Sequence, residues 1–225
     1  MAKARTVTLT ILLSVAIASA LYNFRGESPI ADVISPKITG AGDSIMARGT
    51  KLQSLAERLS ADSVTNWRIH NVAIGGGRVG KEILSTTISP STRVRLPGFS
   101  RDIVWMIAGT NNIGYDNSGT VEDLLQQTET FFRELHAMGY TEKECYLTDI
   151  LPRISDSERF EIERQIFNAE IPQRLKGLAR VIPSGSNPSL QNPRDLNVYG
   201  DGIHPTPTGD QYLVEDALAA IRRNQ

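Results

Sequence analysis

Two hydrophobic rhythms alternate along the chain. Five segments carry strand signals: Lys37 to Asp43, Trp67 to Ile74, Ile103 to Ala108, Cys145 to Ile150 and Ala179 to Ile182. Helical spacing lies between and after them. Leu52, Leu55, Ala56 and Leu59 fall at i, i+3, i+4 and i+7, and Val214, Ala217, Leu218 and Ile221 share one face near the end. Val121, Leu124, Leu125, Phe132 and Leu135 form a third stripe, with Thr120 as its cap, Glu122 and Asp123 in its first turn, and Gly139 at its end. Lys81 to Thr87 predicts a short helix. Ser155 and Glu158 have capping-box spacing ahead of another, which Pro172 interrupts or ends. The unbroken run Ile103 to Ala108 predicts a central parallel strand covered on both faces. Strand and helix alternate five times with no internal repeat. The expected fold is therefore α/β, a three-layer α/β/α sandwich around a five-stranded parallel sheet. The loops after the strands would open on one carboxyl edge, where open α/β sheets bind ligands.

The first residues stand outside this pattern. Lys3 and Arg5 precede an apolar run from Val7 to Tyr22, and Ala18-Ser19-Ala20 has the small-x-small form of a cleavage site. The run carries Thr8, Thr10, Ser14 and Ser19 and is short of the roughly 20 residues of a spanning helix. Residues 1–20 are expected to be a secretory signal, with an uncleaved membrane anchor as the rival. A linker with Gly26, Pro29 and Pro36 follows over 21–36, then one domain over 37–225. Either reading puts the domain outside the cytoplasm. A formal charge of −1 gives no electrostatic reason to expect nucleic acid or an acidic membrane as partner. A single cysteine, Cys145, excludes an intramolecular disulfide and argues against a structural zinc site.

The chemistry candidates sit at the predicted strand ends. Ser44, in Gly42-Asp43-Ser44-Ile45, lies at the first strand-to-helix junction. A serine hydroxyl needs a base, an acid to orient that base, and an oxyanion site. Of three histidines, His136 falls within a helix as an expected surface residue and His70 within a strand; His204 lies in the last loop, three residues after Asp201. An acid so placed can hold one ring nitrogen and leave the other as base. Taken alone, the Asp-x-x-His pair is better read as a cap or packing contact near the last helix, Gly75-Gly76-Gly77 as a turn, and Asn111 as a loop hydrogen-bonder.

Gly75-Gly76-Gly77-Arg78-Val79-Gly80 also fits a dinucleotide fingerprint and the start of a phosphate loop. It follows the second strand, however, and Glu82 stands where a magnesium-binding hydroxyl belongs, so nucleotide binding is disfavoured. No G-x-S-x-G elbow is present. Arg93, Arg95 and Arg101 read as a solvated loop cluster and Trp105 as core. Tyr115 is a candidate substrate contact.

In order, Gly42-Asp43-Ser44, Asn71-Val72-Ala73-Ile74-Gly75-Gly76, Gly109-Thr110-Asn111-Asn112 and Asp201-Gly202-Ile203-His204-Pro205 resemble the four sequence blocks of the SGNH hydrolases, the GDSL esterase/lipase family. The resemblance covers Lys37 to the final helix. It implies the flavodoxin-like fold of that family, with Ser44, Asp201 and His204 as catalytic residues. It also implies an oxyanion hole made by the Ser44 and Gly76 backbone N–H groups and the Asn111 amide. Two positions depart from the family pattern: Ala73 where a glycine is often found, and Asn112 where an acid is.

The expected activity is ester hydrolysis through an acyl-enzyme, by an exported enzyme with no metal or organic cofactor. Its expected partner is a small-molecule or polysaccharide ester, and any membrane association runs through the N-terminal segment. A carbohydrate O-acetylesterase is the first expectation and a lipid or thioester acyl hydrolase the alternative. A catalytically silent carbohydrate-binding domain is a third reading, against which the intact Ser44, Asp201 and His204 argue.

Overall fold

The computed structural model of the chain describes residues 36–62, 65–80, 82–87, 102–114, 119–155 and 157–223. The leader expected over 1–20, the linker expected over 21–36 apart from Pro36, the arginines at 93, 95 and 101, and Tyr115 lie outside them.

Five parallel strands form one sheet in the order β2-β1-β3-β4-β5. They are β1 (Lys37–Gly42), β2 (Arg68–Asn71), β3 (Ile103–Ile107), β4 (Cys145–Thr148) and β5 (Arg180–Ile182). The helices are α1 (Ser44–Ala47), α2 (Lys51–Ala61), α3 (Glu82–Thr87), α4 (Val121–Ala137), α5 (Glu158–Arg174) and α6 (Pro207–Arg222). This is the expected α/β architecture. All strand pairings are parallel, with β1 Gly42 opposite β3 Ile107.

The sheet divides the core in two because successive strand side chains point to opposite faces. Ile38, Trp105 and Ile107 pack on one face with Leu52 and Leu55 of α2 and Leu213 and Val214 of α6. Ala41, Val104 and Met106 pack on the other with Leu124 and Phe132 of α4 and Phe160 and Phe167 of α5. Every residue of β3 is buried, as its uninterrupted apolar run requires. Trp105 is wholly buried and donates its indole N–H to Thr148 Oγ1 at 2.9 Å.

Local expectations fail at a few points. Strand β2 stops at Asn71 rather than Ile74, although Val72 and Ile74 still donate to Gly40 O and Gly42 O. Phe131 joins the α4 core beside Phe132, their rings meeting edge to face. Ser155 and Glu158 make no capping box: α5 starts after Ser157, and the Ser155 hydroxyl accepts from Ser157 N instead. Pro172 neither breaks nor ends α5, which runs on to Arg174. His136 is half-buried in the last turn of α4 and bonds Leu178 O at 2.8 Å. No helix among the described residues is long and apolar enough to cross a membrane.

Candidate active site

Ser44 stands at the carboxyl end of β1, between the ends of β2 and β3. Gly42 makes the turn into α1 with φ of 146°, and a Cβ there would lie 1.9 Å from Ile107 O. Only glycine lets β1 and β3 approach so closely at this turn. Asp43 is fully buried as the cap of α1. Its Oδ1 accepts from Ile45 N at 2.9 Å, while Oδ2 makes no well-aligned hydrogen bond. Burial pushes the Asp43 carboxyl up to about 7, against the backbone hydrogen bonds from Ile45 and Thr110 and the charges of Lys51 and Arg153.

His204 lies on a loop closed at its base. Tyr199 and Pro205 form an antiparallel bridge, Gly200 N donates to His204 O, and Thr206 N donates to Val198 O. Within the loop Asp201 Oδ1 accepts from Ile203 N at 3.0 Å and His204 N at 2.7 Å. Its Oδ2 meets His204 Nδ1 at 2.7 Å. Partial desolvation tends to raise the Asp201 carboxyl. The hydrogen bonds from His204 and Ile203 outweigh it and hold the group at about 2, so it is anionic at neutral pH. Gly202, with φ of 79°, leaves room for Ile154 from the loop after β4, whose N–H donates to Gly202 O at 2.8 Å.

The two loops meet across the molecule: Ser44 Oγ and His204 Nε2 are 2.8 Å apart. With the ring proton on Nδ1 and donated to Asp201, Nε2 is an acceptor for the serine hydroxyl. The arrangement can therefore move a proton from Ser44 to His204 while Asp201 stabilises the resulting imidazolium.

The remaining site positions follow the same edge. Gly76 is exposed, with φ of 75° and nothing within 4 Å of where a Cβ would be. Asn111 follows β3 and donates one amide hydrogen to Gly77 O at 3.2 Å, which orients the group and leaves its second hydrogen. Neighbouring Asn112, a departure from the family pattern, has a clear local task. Its Oδ1 accepts from Val79 N at 3.0 Å, and its amide donates to Val79 O and Gln127 Oε1, both at 3.3 Å. An acid there could accept from Val79 N but could not donate to the two oxygens. Within the glycine run, Glu82 accepts from Arg78 N at 3.0 Å, so a carboxylate occupies the place a phosphate would need.

Several residues at the site fall outside the four sequence blocks. Lys51 is 2% exposed yet sits beneath the Ser44 turn, donating to Ile45 O at 2.6 Å and to Arg48 O. Its Nζ lies 3.0 Å from Asp210 Oδ1 in the first turn of α6, and Asp210 Oδ2 accepts from Thr50 N at 3.2 Å. Asp210 Oδ1 makes no well-aligned hydrogen bond, so this contact is chiefly ionic. Its clue was position: Lys51 precedes Leu55 and Leu59 by four and eight residues, on the apolar face of α2. Arg48 is exposed, with Nη1 3.2 Å from His204 Nδ1. Arg153, after β4, donates to Thr110 O at 3.2 Å and lies 3.8 Å over the Phe160 ring. A cleft of about 340 Å³ opens there, lined by Arg153, Ser155, Glu158, Phe160 and Gln191 among others.

No protein-family model matches the chain, and no curated protein sequence matches it significantly. Solved structures do. A lipase/acylhydrolase from Enterococcus faecalis aligns over 84% of this chain and 95% of its own, at 18% identity and a TM-score of 0.61. A member of the lipolytic G-D-S-L family from Veillonella parvula aligns over 84% of this chain and 100% of its own, at 14% identity and 0.66. A mutant acetyl-xylooligosaccharide esterase from Geobacillus Stearmophilus aligns over 84% and 96%, at 15% and 0.64. At these identities the likeness defines the fold: the chain has the α/β architecture of the GDSL-type hydrolases.

Proposed function

We propose that the protein is a serine esterase of the SGNH type. The observation that carries this reading is the continuous contact from Ser44 through His204 to Asp201, at 2.8 and 2.7 Å, on the fold of the GDSL hydrolases. Ser44 Oγ attacks the ester carbonyl carbon as its proton passes to His204 Nε2. The negative oxygen of the tetrahedral intermediate takes hydrogen bonds from Ser44 N, Gly76 N and Asn111 Nδ2. The bond to the leaving alcohol then breaks, and Nε2 returns the proton to that oxygen. Water attacks the acyl-enzyme and gives a proton to Nε2. Collapse releases the acid, and the proton returns to Ser44 Oγ.

The substrate we favour is an O-acetyl ester of a carbohydrate. One observation supports it: an acetyl-xylooligosaccharide esterase shares the fold. A lipid or thioester acyl hydrolase is the second reading, favoured by the lipase/acylhydrolase of the same fold. Hydrolysis of p-nitrophenyl esters of increasing chain length, alongside acetylated sugars, separates them. Acetyl-restricted activity supports the first, and rates rising with chain length support the second. Export is part of this reading, resting on the Lys3–Arg5 charges, the following apolar run and Ala18-Ser19-Ala20. N-terminal sequencing of the protein from fractionated cells distinguishes cleavage after Ala20 from a retained anchor.

A further inference from the structure

Arg48 occupies an unusual electrostatic position. It follows Ser44 by one helical turn, closing α1 with its N–H on Ser44 O at 3.1 Å. The turn aims its guanidinium at the back of the catalytic imidazole, 3.2 Å from Nδ1. That nitrogen is already engaged with Asp201 Oδ2 at 2.7 Å. A ring nitrogen that donates to a carboxylate cannot also accept from a guanidinium. The shorter, charge-assisted bond to Asp201 prevails, leaving Arg48 a neighbour of His204 without an acceptor in it. Arg48 is exposed and pairs with no carboxylate among the described residues. Asp201, the carboxylate bonded to Nδ1, is committed through both oxygens to Ile203, His204 N and the ring.

The charge count changes during the reaction assigned above. When His204 takes the Ser44 proton, two cations stand side by side, and the one carboxylate at hand, Asp201, is bonded to His204. A substrate bearing its own anion near Arg48 would offset the second cation as the imidazolium forms. Such an interaction is stronger in the transition state than in the ground state and so raises turnover. The imidazole returns its proton to the leaving alcohol, so that part of the substrate lies on the His204 side of the reacting carbon. A planar guanidinium with free N–H groups matches carboxylate or phosphate oxygens.

We propose that Arg48 is a specificity-determining residue that selects esters whose alcohol portion carries an anionic group. The proposal rests on the esterase reading and narrows its substrate class. The anion can be a uronate carboxylate or a phosphate, and the substrates tested separate the two.

The experiment measures kcat/KM for acetylated glucose, acetylated glucuronate and acetylglycerol phosphate. The enzymes are wild type, Arg48→Gln and Arg48→Lys, in low salt and in 1 M salt, with thermal melts confirming that each variant folds. Wild type should prefer an anionic ester over the neutral one by roughly tenfold at low salt. The preference should shrink in 1 M salt, where the screening length is about 3 Å. Arg48→Gln should lose the preference by slowing the anionic ester and speeding the neutral one severalfold, and Arg48→Lys should retain part of it. A uronate-only or phosphate-only preference identifies the source of the anion, and both support the role. Equal losses on all three esters would assign Arg48 to holding Asp201 and overturn the proposal. So would a wild-type preference that Arg48→Gln leaves intact. If no ester is turned over and a fluorophosphonate leaves Ser44 unlabelled, the esterase reading fails and takes this one with it.

Discussion

Lys51→Met should destabilise the domain far more than an ordinary helix substitution. Lys51 and Asp210 are 2% and 3% exposed, so both charges are held out of water. Burial pushes the Lys51 ammonium down and the Asp210 carboxyl up, each against the charge of the other. The ammonium also satisfies Ile45 O and Arg48 O at the two ends of the Ser44 turn. Methionine keeps the packing of the stem but leaves Asp210 without its counter-ion and both carbonyls without their donor. Breaking a buried pair from one side costs about 3–5 kcal/mol. In a domain of this size that lowers Tm by on the order of 10 °C. Urea unfolding measures the loss. Lys51→Met with Asp210→Leu should recover much of it, because a buried ion pair is often replaceable by apolar groups. Activity should respond too, since Asp210 lies six residues after His204 and the pair ties the nucleophile turn to the helix behind the base. The folded fraction of Lys51→Met should therefore show a lower kcat than wild type. A single variant within 1 kcal/mol of wild type would refute the view that this pair fastens the two halves of the site together.

Two further outcomes follow from the same geometry. Asn111→Ala should lower kcat by about a hundredfold to a thousandfold, as for loss of one oxyanion donor, with little change in KM; steady-state kinetics on an acetyl ester checks this. Stability should fall as pH rises through about 7, because burial raises both the Asp43 and Asp149 carboxyls to about that value. A raised folded-state value contributes stability that is complete below about pH 4, the unfolded value, and is lost as pH climbs through 7, by on the order of 4 kcal/mol for Asp43. Urea midpoints at pH 5 and pH 8 should show the decline, and Asp43→Asn should remove the Asp43 share while leaving the part due to Asp149.

The sheet and its edge were legible because they depend on periodicity. The unbroken apolar run of β3 and the stripes of α2, α4 and α6 each follow from burying one face or two. Ser44, Asn111 and the Asp201–His204 pair were legible because short blocks at strand ends place them locally. What stayed hidden depends on contacts between distant segments. Lys51 gains its role only when Asp210 comes to meet it from 159 residues away. Asn112 looked like a deviation, and its task arises only when the glycine loop packs against it. Arg48 has no periodic signature, and its meaning comes from a histidine 156 residues later. The capping assignment at Ser155 failed because two serines compete there, and the backbone selected Ser157 as the cap position.

The central claim is that Ser44 is a nucleophile activated by His204, and covalent labelling tests it most directly. A fluorophosphonate incubated with wild type, Ser44→Ala and His204→Ala, followed by peptide mass mapping, reports which residue forms the bond. The account predicts labelling of wild type at Ser44 alone, none in Ser44→Ala, and labelling slowed at least a hundredfold in His204→Ala. Label on another residue, or Ser44 labelling at the wild-type rate without His204, would contradict it.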